Sequence, residues 1–133
     1  MSLQDLMKKL NKSYGEVASP GNSYPSAEFI SSGNPKFDSI TGGGFARSHM
    51  TEVHGLEGSG KTTFCIQAIA NAQSQGMVCA FVDAEGRIHP DRCIELGVDM
   101  ERLMLIRPDY GEQACDIMRD IIESGEVDLL VLD

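Results

Sequence analysis

The stretch from Met50 to Thr63 restricts what this chain can fold into more than any other part of the sequence. An alternating run, Met50 to His54, breaks into Gly55-Leu56-Glu57-Gly58-Ser59-Gly60-Lys61-Thr62 and then into a helical pattern. The spacing Gly-x4-Gly-Lys-Thr supplies glycines where backbone N–H groups curl around an anion, a lysine that reaches terminal phosphates and a hydroxyl that holds Mg2+. The sequence therefore predicts a strand over 50–55, a phosphate-binding loop and a helix.

An apolar stripe and a stop signal predict the helix after this loop. Gly76 ends the pattern, and the stripe consists of Phe64, Cys65, Ala68, Ile69 and Ala72. The N-terminus of such a helix directs backbone donors and the positive end of its dipole at an anion in the loop. The alternative is a glycine-rich turn in front of an ordinary helix.

Composition sets the class of protein. The 133 residues, of which 41% are hydrophobic, suit one soluble globular domain. No apolar run reaches membrane-spanning length and the first residues lack the layout of a secretory signal, so we expect a cytoplasmic protein. The net charge of −9 argues against a broad nucleic-acid-binding surface on this segment. The basic cluster Lys8, Lys9 and Lys12 is either a localised contact surface or a solvated helix face.

The cysteines show no metal or disulfide pattern. Cys65, Cys79, Cys93 and Cys115 include no Cys-x2-Cys pair and have no histidine at ligand spacing. We therefore expect reduced core thiols. Cys65, Cys79 and Cys115 in particular fall within apolar patterns, where a free cysteine behaves as a small hydrophobe.

The N-terminal part, residues 1–26, is predicted to be separate from a core over 27–133. Ser2 and Asp5 form a capping-box-like start, and an apolar stripe predicts a helix over 2–13. The segment from Gly15 to Ser26 is rich in proline, glycine and serine, so it reads as a linker. A lone helix of this length is marginal in water, so its stripe needs a surface, which another subunit could supply.

The rest of the chain alternates between strand and helix patterns. This order predicts an α/β fold with a parallel sheet flanked by helices. The predicted elements are a helical turn at 37–40, strands at 77–82, 103–106 and 128–133, a helix at 90–96, and a helix ended by Gly125 that carries Ala114, Cys115, Ile117, Met118, Ile121 and Ile122.

Two acids follow predicted strands. Glu85 comes shortly after the run 77–82, and Asp133 ends the run 128–133. Ligands of open parallel sheets bind outside the carboxyl ends of the strands, so these acids are expected near the phosphate-binding loop. We therefore predict Thr62 and Asp133 as metal ligands and Glu85 as the group that orients water. The alternative for Glu85 is a solvated loop acid.

From about residue 28 onwards the sequence resembles the RecA family of DNA recombinases. A few positions are closer to archaeal and eukaryotic recombinases, a mixture often met in phage-encoded members, and Arg92 stands where bacterial members have an aromatic residue. Besides the loop itself, the matching stretches are Ser32 to Asp38, Thr51 to Gly55, Cys79 to Glu85, Leu96 to Asp99, Arg107 to Ala114 and Val127 to Asp133.

This resemblance implies a P-loop NTPase core, ATP and Mg2+ as cofactors, and a DNA-dependent ATPase that forms filaments on single-stranded DNA. It also implies strand exchange in recombination, DNA repair and the SOS response to DNA damage, with the first helix as a polymerisation element. By position, Lys61 and Glu85 would be catalytic, Asp133 would support the metal, and Arg92 would lie over adenine or else be a surface charge. Residues that would bind phosphate and Mg2+ are Gly55, Glu57, Gly58, Ser59, Gly60, Lys61, Thr62 and Thr63.

The resemblance also predicts that the sheet is incomplete. The DNA-binding loops of the family follow the strand at 128–133, as does a strand that separates it from the strand at 50–55, so we expect unpaired strand edges and a chain that is part of a longer recombinase. Poor stability and weak or absent ATP hydrolysis would follow. The alternatives are a nucleotide-binding assembly fragment that does not hydrolyse ATP, and another ATPase of the RecA superfamily such as a helicase.

Overall fold

A computed structural model describes residues 1–133 and contains a three-stranded parallel sheet, a two-stranded antiparallel pair and five α-helices. None of the helices is both long and apolar enough to cross a membrane. The elements in chain order are α1 (Leu3–Tyr14), a 3-10 turn (Gly21–Ser23), β1 (Phe29–Ile30), α2 (Pro35–Thr41), β2 (Phe45–Ala46), α3 (Lys61–Ser74), β3 (Cys79–Val82), α4 (Pro90–Glu95), β4 (Met104–Ile106), α5 (Gly111–Ser124) and β5 (Leu129–Leu132).

Local signals fix the helix ends where the sequence predicted them. Ser2 and Asp5 form a capping box at the start of α1, in which each side chain accepts a backbone N–H at 3.1 Å. Gly125 ends α5 in the left-handed region at φ 68°, which a glycine adopts without steric cost. The linker after α1 contains only the short 3-10 turn, as expected.

Helices cover both faces of the parallel sheet, whose order is β4-β3-β5. Cys79 and Phe81 of β3 pack in one apolar core with Ile66, Ile69 and Ala72 of α3. Neighbouring strand residues point to opposite faces, so Ala80 and Val82 lie on the other side, where they are also buried. Met104, the partner of Ala80 in β4, lines a groove with α5 on that side.

The antiparallel pair β1–β2 is a small unit beside the main sheet. Gly44 is required at its turn, because a Cβ there would collide with the Ile30 carbonyl oxygen. The Arg47 guanidinium links the unit to the sheet by donating to Asp128 Oδ1 at 3.4 Å, and Phe37 of α2 packs against Phe64 of α3 with ring centroids 5.0 Å apart.

The prediction of a strand over 50–55 is wrong. These residues are assigned to no strand, and none of their backbone groups takes part in a backbone hydrogen bond. A strand exists only when a second one pairs with it, and the structure places no strand beside this segment. The expected unpaired backbone is therefore observed, whereas the expected strand is not.

Three predictions of burial also need correction. The wholly apolar run before Asp133 is typical of a buried strand, but β5 is half-buried to exposed because only β3 lies beside it. Cys115 is exposed, whereas Cys93, which was not singled out, is buried. In the stripe of α5 only Ala114 is buried, and Ile117, Met118 and Ile121 are half-buried because an open groove separates part of that face from Met104 of β4.

Candidate functional site

The loop from Gly55 to Gly60 forms a concave turn at the start of α3. Gly58 and Gly60 have φ values of 73° and 95°, and Gly60 caps α3 without a side-chain hydrogen bond. The first intrahelical donor is the Phe64 N–H, which bonds the Gly60 carbonyl at 2.9 Å. The preceding amides of the helix therefore have no intrahelical partner and face the loop, as an anion site requires.

Lys61 lies across this loop. Its Nζ donates to the carbonyl oxygens of Gly55 and Leu56, each at 2.9 Å. The ammonium therefore stabilises the loop from inside. A cleft of about 340 Å³ opens beside it and is lined by Phe37, Val53, His54, Ser59, Gly60, Lys61 and Phe64.

Thr62, in the first turn of α3, is joined to the end of β5. Its Oγ1 donates to Asp133 Oδ2 at 2.8 Å. The backbone of Asp133 is held by β3, since its N–H donates to the Val82 carbonyl at 3.0 Å and its carbonyl accepts from the Ala84 N–H at 2.9 Å. A hydroxyl and a carboxylate are thus fixed side by side at the carboxyl end of the sheet.

Glu85 lies one residue beyond this junction and is exposed. Its carboxylate makes an ion pair with the Arg87 guanidinium, with 3.6 Å between Oε2 and Nη1. Exposed pairs of this kind contribute little stability, so the side chain of Glu85 is free to reorient. Because Ala84 is bonded to Asp133, Glu85 leaves the sheet close to the Thr62–Asp133 pair.

Arg92 lies on α4, and its recorded partner is Glu95, at 3.1 Å between Nη1 and Oε2. The structure therefore brings Lys61, Thr62 and Asp133 together but records no contact between Arg92 and the loop. Glu57 and Ser59 belong to the loop itself, and Thr63 is half-buried in the first turn of α3.

Cys65 lies one turn beyond Lys61 on α3. Burial raises the pKa of this thiol, and the nearby negative charge of Asp133 raises it further. The side chain is therefore a neutral thiol at pH 7.

A model of the RecA N-terminal domain matches residues 1–133. The chain belongs to the RecA family. Curated relatives, each named protein RecA, agree with this. The one from Corynebacterium efficiens is 47% identical over 110 residues, which is 82% of this chain and 28% of that protein. The one from Acinetobacter baylyi is 38% identical over 136 residues, covering 99% and 39% of the two chains, and the one from Thermotoga maritima is 38% identical over 136 residues, covering 98% and 38%.

The chain thus spans 28–39% of the length of these RecA relatives. Its similarity extends through the loop, β3 and β5, so the geometry above lies within the part shared with them.

Sequence reasoning missed two acids that hold the ends of the parallel sheet, Asp83 at the carboxyl end of β3 and Asp128 at the amino end of β5. Asp83 is buried and accepts hydrogen bonds from the N–H groups of Arg87 and Ile88. Asp128 accepts from the Val78 N–H at 2.9 Å in addition to its contact with Arg47. A signal for Asp83 was present, since it directly follows a fully apolar strand, but the same signal fits the exposed Glu85.

Proposed function

We propose that this chain is the ATP- and Mg2+-binding part of a RecA-family DNA recombinase with a P-loop NTPase core. The observation that carries the proposal is the convergence of a cationic side chain, a hydroxyl and a carboxylate on one glycine-rich loop, namely Lys61, Thr62 and Asp133. The first amides of α3 add donors without intrahelical partners. This set matches a triphosphate, which needs N–H donors and an ammonium, and its accompanying hard cation.

The oxygens of Thr62 and Asp133 fit Mg2+, which prefers hydroxyl, carboxylate and phosphate oxygens. The structure contains no cluster of three or more His, Cys, Asp or Glu side chains suited to a metal. Mg2+ usually takes one or two protein ligands and the remainder from phosphate and water, and Thr62 and Asp133 are proposed as the protein ligands. When bound, the metal supplies charge neutralisation on the phosphates.

The other roles follow from the family and the arrangement of the loop. We propose that the backbone from Gly55 to Thr63 cradles the phosphates, that Lys61 contacts the terminal phosphate, and that Glu85 orients the attacking water. Arg92 is proposed to stack on adenine once nucleotide draws it from Glu95.

The whole protein is proposed to act in DNA recombination and repair in the cytoplasm, within the SOS response to DNA damage. It would form filaments on single-stranded DNA and exchange strands, with α1 docking on a neighbouring subunit. No residue of α1 is buried in this chain, which supports a partner surface for its apolar stripe.

Calorimetric titration with ATP tests the nucleotide site, once with Mg2+ and once with EDTA. Thr62→Val removes the hydroxyl but keeps the side-chain shape, so we expect the gain in affinity from Mg2+ to disappear. Thr41→Val is the matched control, because Thr41 Oγ1 donates to carbonyls of its own helix, α2, and accepts from the Gly44 N–H at 3.0 Å, and none of these bonds involves the phosphate-binding loop. Tighter ATP binding with Mg2+ in Thr62→Val, as in the parent chain, would contradict the proposal.

A further inference from the structure

Asp83 is the one buried acid of the structure and lies at the carboxyl end of β3. Its side chain is 2% exposed. Burial of a carboxylate costs free energy unless hydrogen bonds replace those it made to water, so the contacts of Asp83 indicate its role. The candidate base Glu85 lies two residues further along the chain.

The contacts of Asp83 close the loop 84–88 on itself. Oδ1 accepts from the Arg87 N–H at 3.0 Å, and Oδ2 accepts from the Ile88 N–H at 3.1 Å. The nearest cation is Arg107, whose Nε lies 3.9 Å from Oδ2 and whose side chain is 59% exposed. The hydrogen bonds to the loop backbone are therefore the closest contacts of this carboxylate.

The start of the same loop is fixed to both neighbouring strands. The Asp83 N–H donates to the Ile106 carbonyl at 2.8 Å, and the Ala84 N–H donates to the Asp133 carbonyl at 2.9 Å. The backbone on both sides of Glu85 is therefore held by hydrogen bonds. Before it, Ala84 bonds Asp133, and after it, Arg87 and Ile88 bond the Asp83 carboxylate. Its only recorded side-chain contact is the exposed ion pair with Arg87. Backbone ties, rather than side-chain contacts, set where Glu85 leaves the sheet.

We propose that Asp83 is a positioning residue that acts through the loop 84–88 and holds Glu85 at the mouth of the proposed nucleotide site. The inference rests on the proposed function, because it concerns the place of Glu85 relative to a bound triphosphate. Hydrogen bonds to an ionised acceptor are stronger than neutral ones, which suits a carboxylate as the anchor of a short loop.

A double-mutant cycle on Mg-ATP affinity tests this. In the parent, Glu85→Gln removes a negative charge close to the triphosphate, so we expect the Kd to fall at least about threefold. Asp83→Asn leaves one acceptor oxygen and places an NH2 group against a backbone N–H, which releases the loop. In that background Glu85→Gln is expected to change the Kd by less than about 1.5-fold, because the released carboxylate is no longer held close to the triphosphate and its field is screened by the intervening water.

Gln73→Met is the matched control. Gln73 is also buried, and it also makes two hydrogen bonds to backbone, with the Asp99 N–H and carbonyl at 2.9 and 3.0 Å. These bonds lie at the far end of α3 from the loop. If Asp83→Asn acted only by loosening the fold, Gln73→Met, which loses a comparable pair of buried hydrogen bonds, should diminish the effect of Glu85→Gln to the same extent. We expect instead that the threefold effect of Glu85→Gln persists in Gln73→Met.

The possible results separate the two proposals. An undiminished effect of Glu85→Gln in Asp83→Asn would overturn the role of Asp83 and leave the nucleotide site standing. Absence of Mg-ATP binding by the parent would overturn the proposed function, and this inference with it.

If Asp83→Asn does not fold, amide hydrogen exchange in the parent tests whether Asp83 anchors the loop 84–88. The Arg87 and Ile88 amides should exchange slowly and those of Glu85 and Gly86 rapidly, because only the first two are bonded to Asp83. Equal exchange at all four would refute the anchor.

Discussion

Ser48, in the turn after β2, has a left-handed backbone with φ 61° and is the only non-glycine residue with positive φ. A side chain there places Cβ close to the following carbonyl oxygen, at a cost of roughly 1–2 kcal/mol. The strain lies just before the unpaired segment 50–55, so it affects a part of the chain with little other support.

Ser48→Gly should therefore stabilise the chain by on the order of 0.5–1 kcal/mol, since glycine relieves the strain but adds entropy to the unfolded state. Urea unfolding followed by circular dichroism measures the change. Ser39→Gly, within α2, is the control and should destabilise instead. A loss of stability in Ser48→Gly would contradict the assigned strain.

The thiols should differ in reactivity according to burial. Burial raises the pKa of Cys79 to about 11, with a smaller contribution from Asp128, whereas Cys115 is exposed. Only the thiolate reacts, so below pH 9 Cys79 is almost entirely unreactive, and its labelling rate should rise about tenfold per pH unit up to its pKa. Mass spectrometry after iodoacetamide treatment at pH 8 should show Cys115 modified first. Equal labelling of both would contradict the packing.

The acidic residues at the carboxyl end of the sheet show which properties of a single residue can be predicted from the sequence. The positions of Glu85 and Asp133 after apolar strands predict that they lie at one end of the sheet, and the structure places both there together with Asp83. Which of them turns inward depends on the loop 84–88, whose amides converge on Asp83. The direction in which each carboxylate points is therefore set by backbone geometry several residues further along the chain, so a single sequence does not reveal it.

Among the elements, α1 most clearly lacks a partner. It is well capped, yet no residue is buried, and Leu3 is 73% exposed. An isolated helix of twelve residues gains most of its stability from packing. Its apolar stripe is therefore available to another surface, as proposed for filament assembly.

Replacing Leu3 and Leu6 by serine should change the free energy of unfolding by less than about 0.5 kcal/mol, because both side chains are exposed. The same change should abolish concentration-dependent association in sedimentation velocity. Gln4→Ser on the same helix is the control and should associate like the parent. Unchanged association of the double serine variant would exclude α1 as the contact.

Helices were predictable to within one or two residues, whereas three strand assignments were not: the strand predicted at 50–55 is absent, and β1 and β2 were not predicted. Helix signals are local: the capping box at Ser2 and the glycines Gly76 and Gly125 act within a turn of the chain. The alternating pattern of 50–55 is that of a strand, but a strand is completed by hydrogen bonds to another segment, and that segment is not present.

At the scale of the whole molecule, few residues are buried and many large apolar side chains are exposed. Only 18 of 133 residues are buried, and Met50 and Leu56 are 92% and 86% exposed on either side of unpaired backbone. Stability in small domains is a small difference between large terms, so this much uncovered apolar surface leaves little net free energy.

We therefore expect a broad melt with a van't Hoff enthalpy well below the roughly 90 kcal/mol that about 0.7 kcal/mol per residue would give. Differential scanning calorimetry together with circular dichroism measures it. A sharp two-state transition at the full enthalpy would show that the unpaired segment costs far less than its exposure indicates.

The central claim is that a triphosphate and its metal bind between the lysine-bearing loop and the acids at the end of the sheet. Calorimetric titration of Mg-ATP into the parent, Lys61→Ala and Lys36→Ala tests it most directly. Lys36 is an exposed lysine on α2 and serves as the control. Removal of an ammonium that bonds phosphate should weaken binding about tenfold or more, because hydrogen bonds to charged groups contribute about 1.5–3 kcal/mol. We predict that loss for Lys61→Ala alone, and equal affinity in all three proteins would contradict the account.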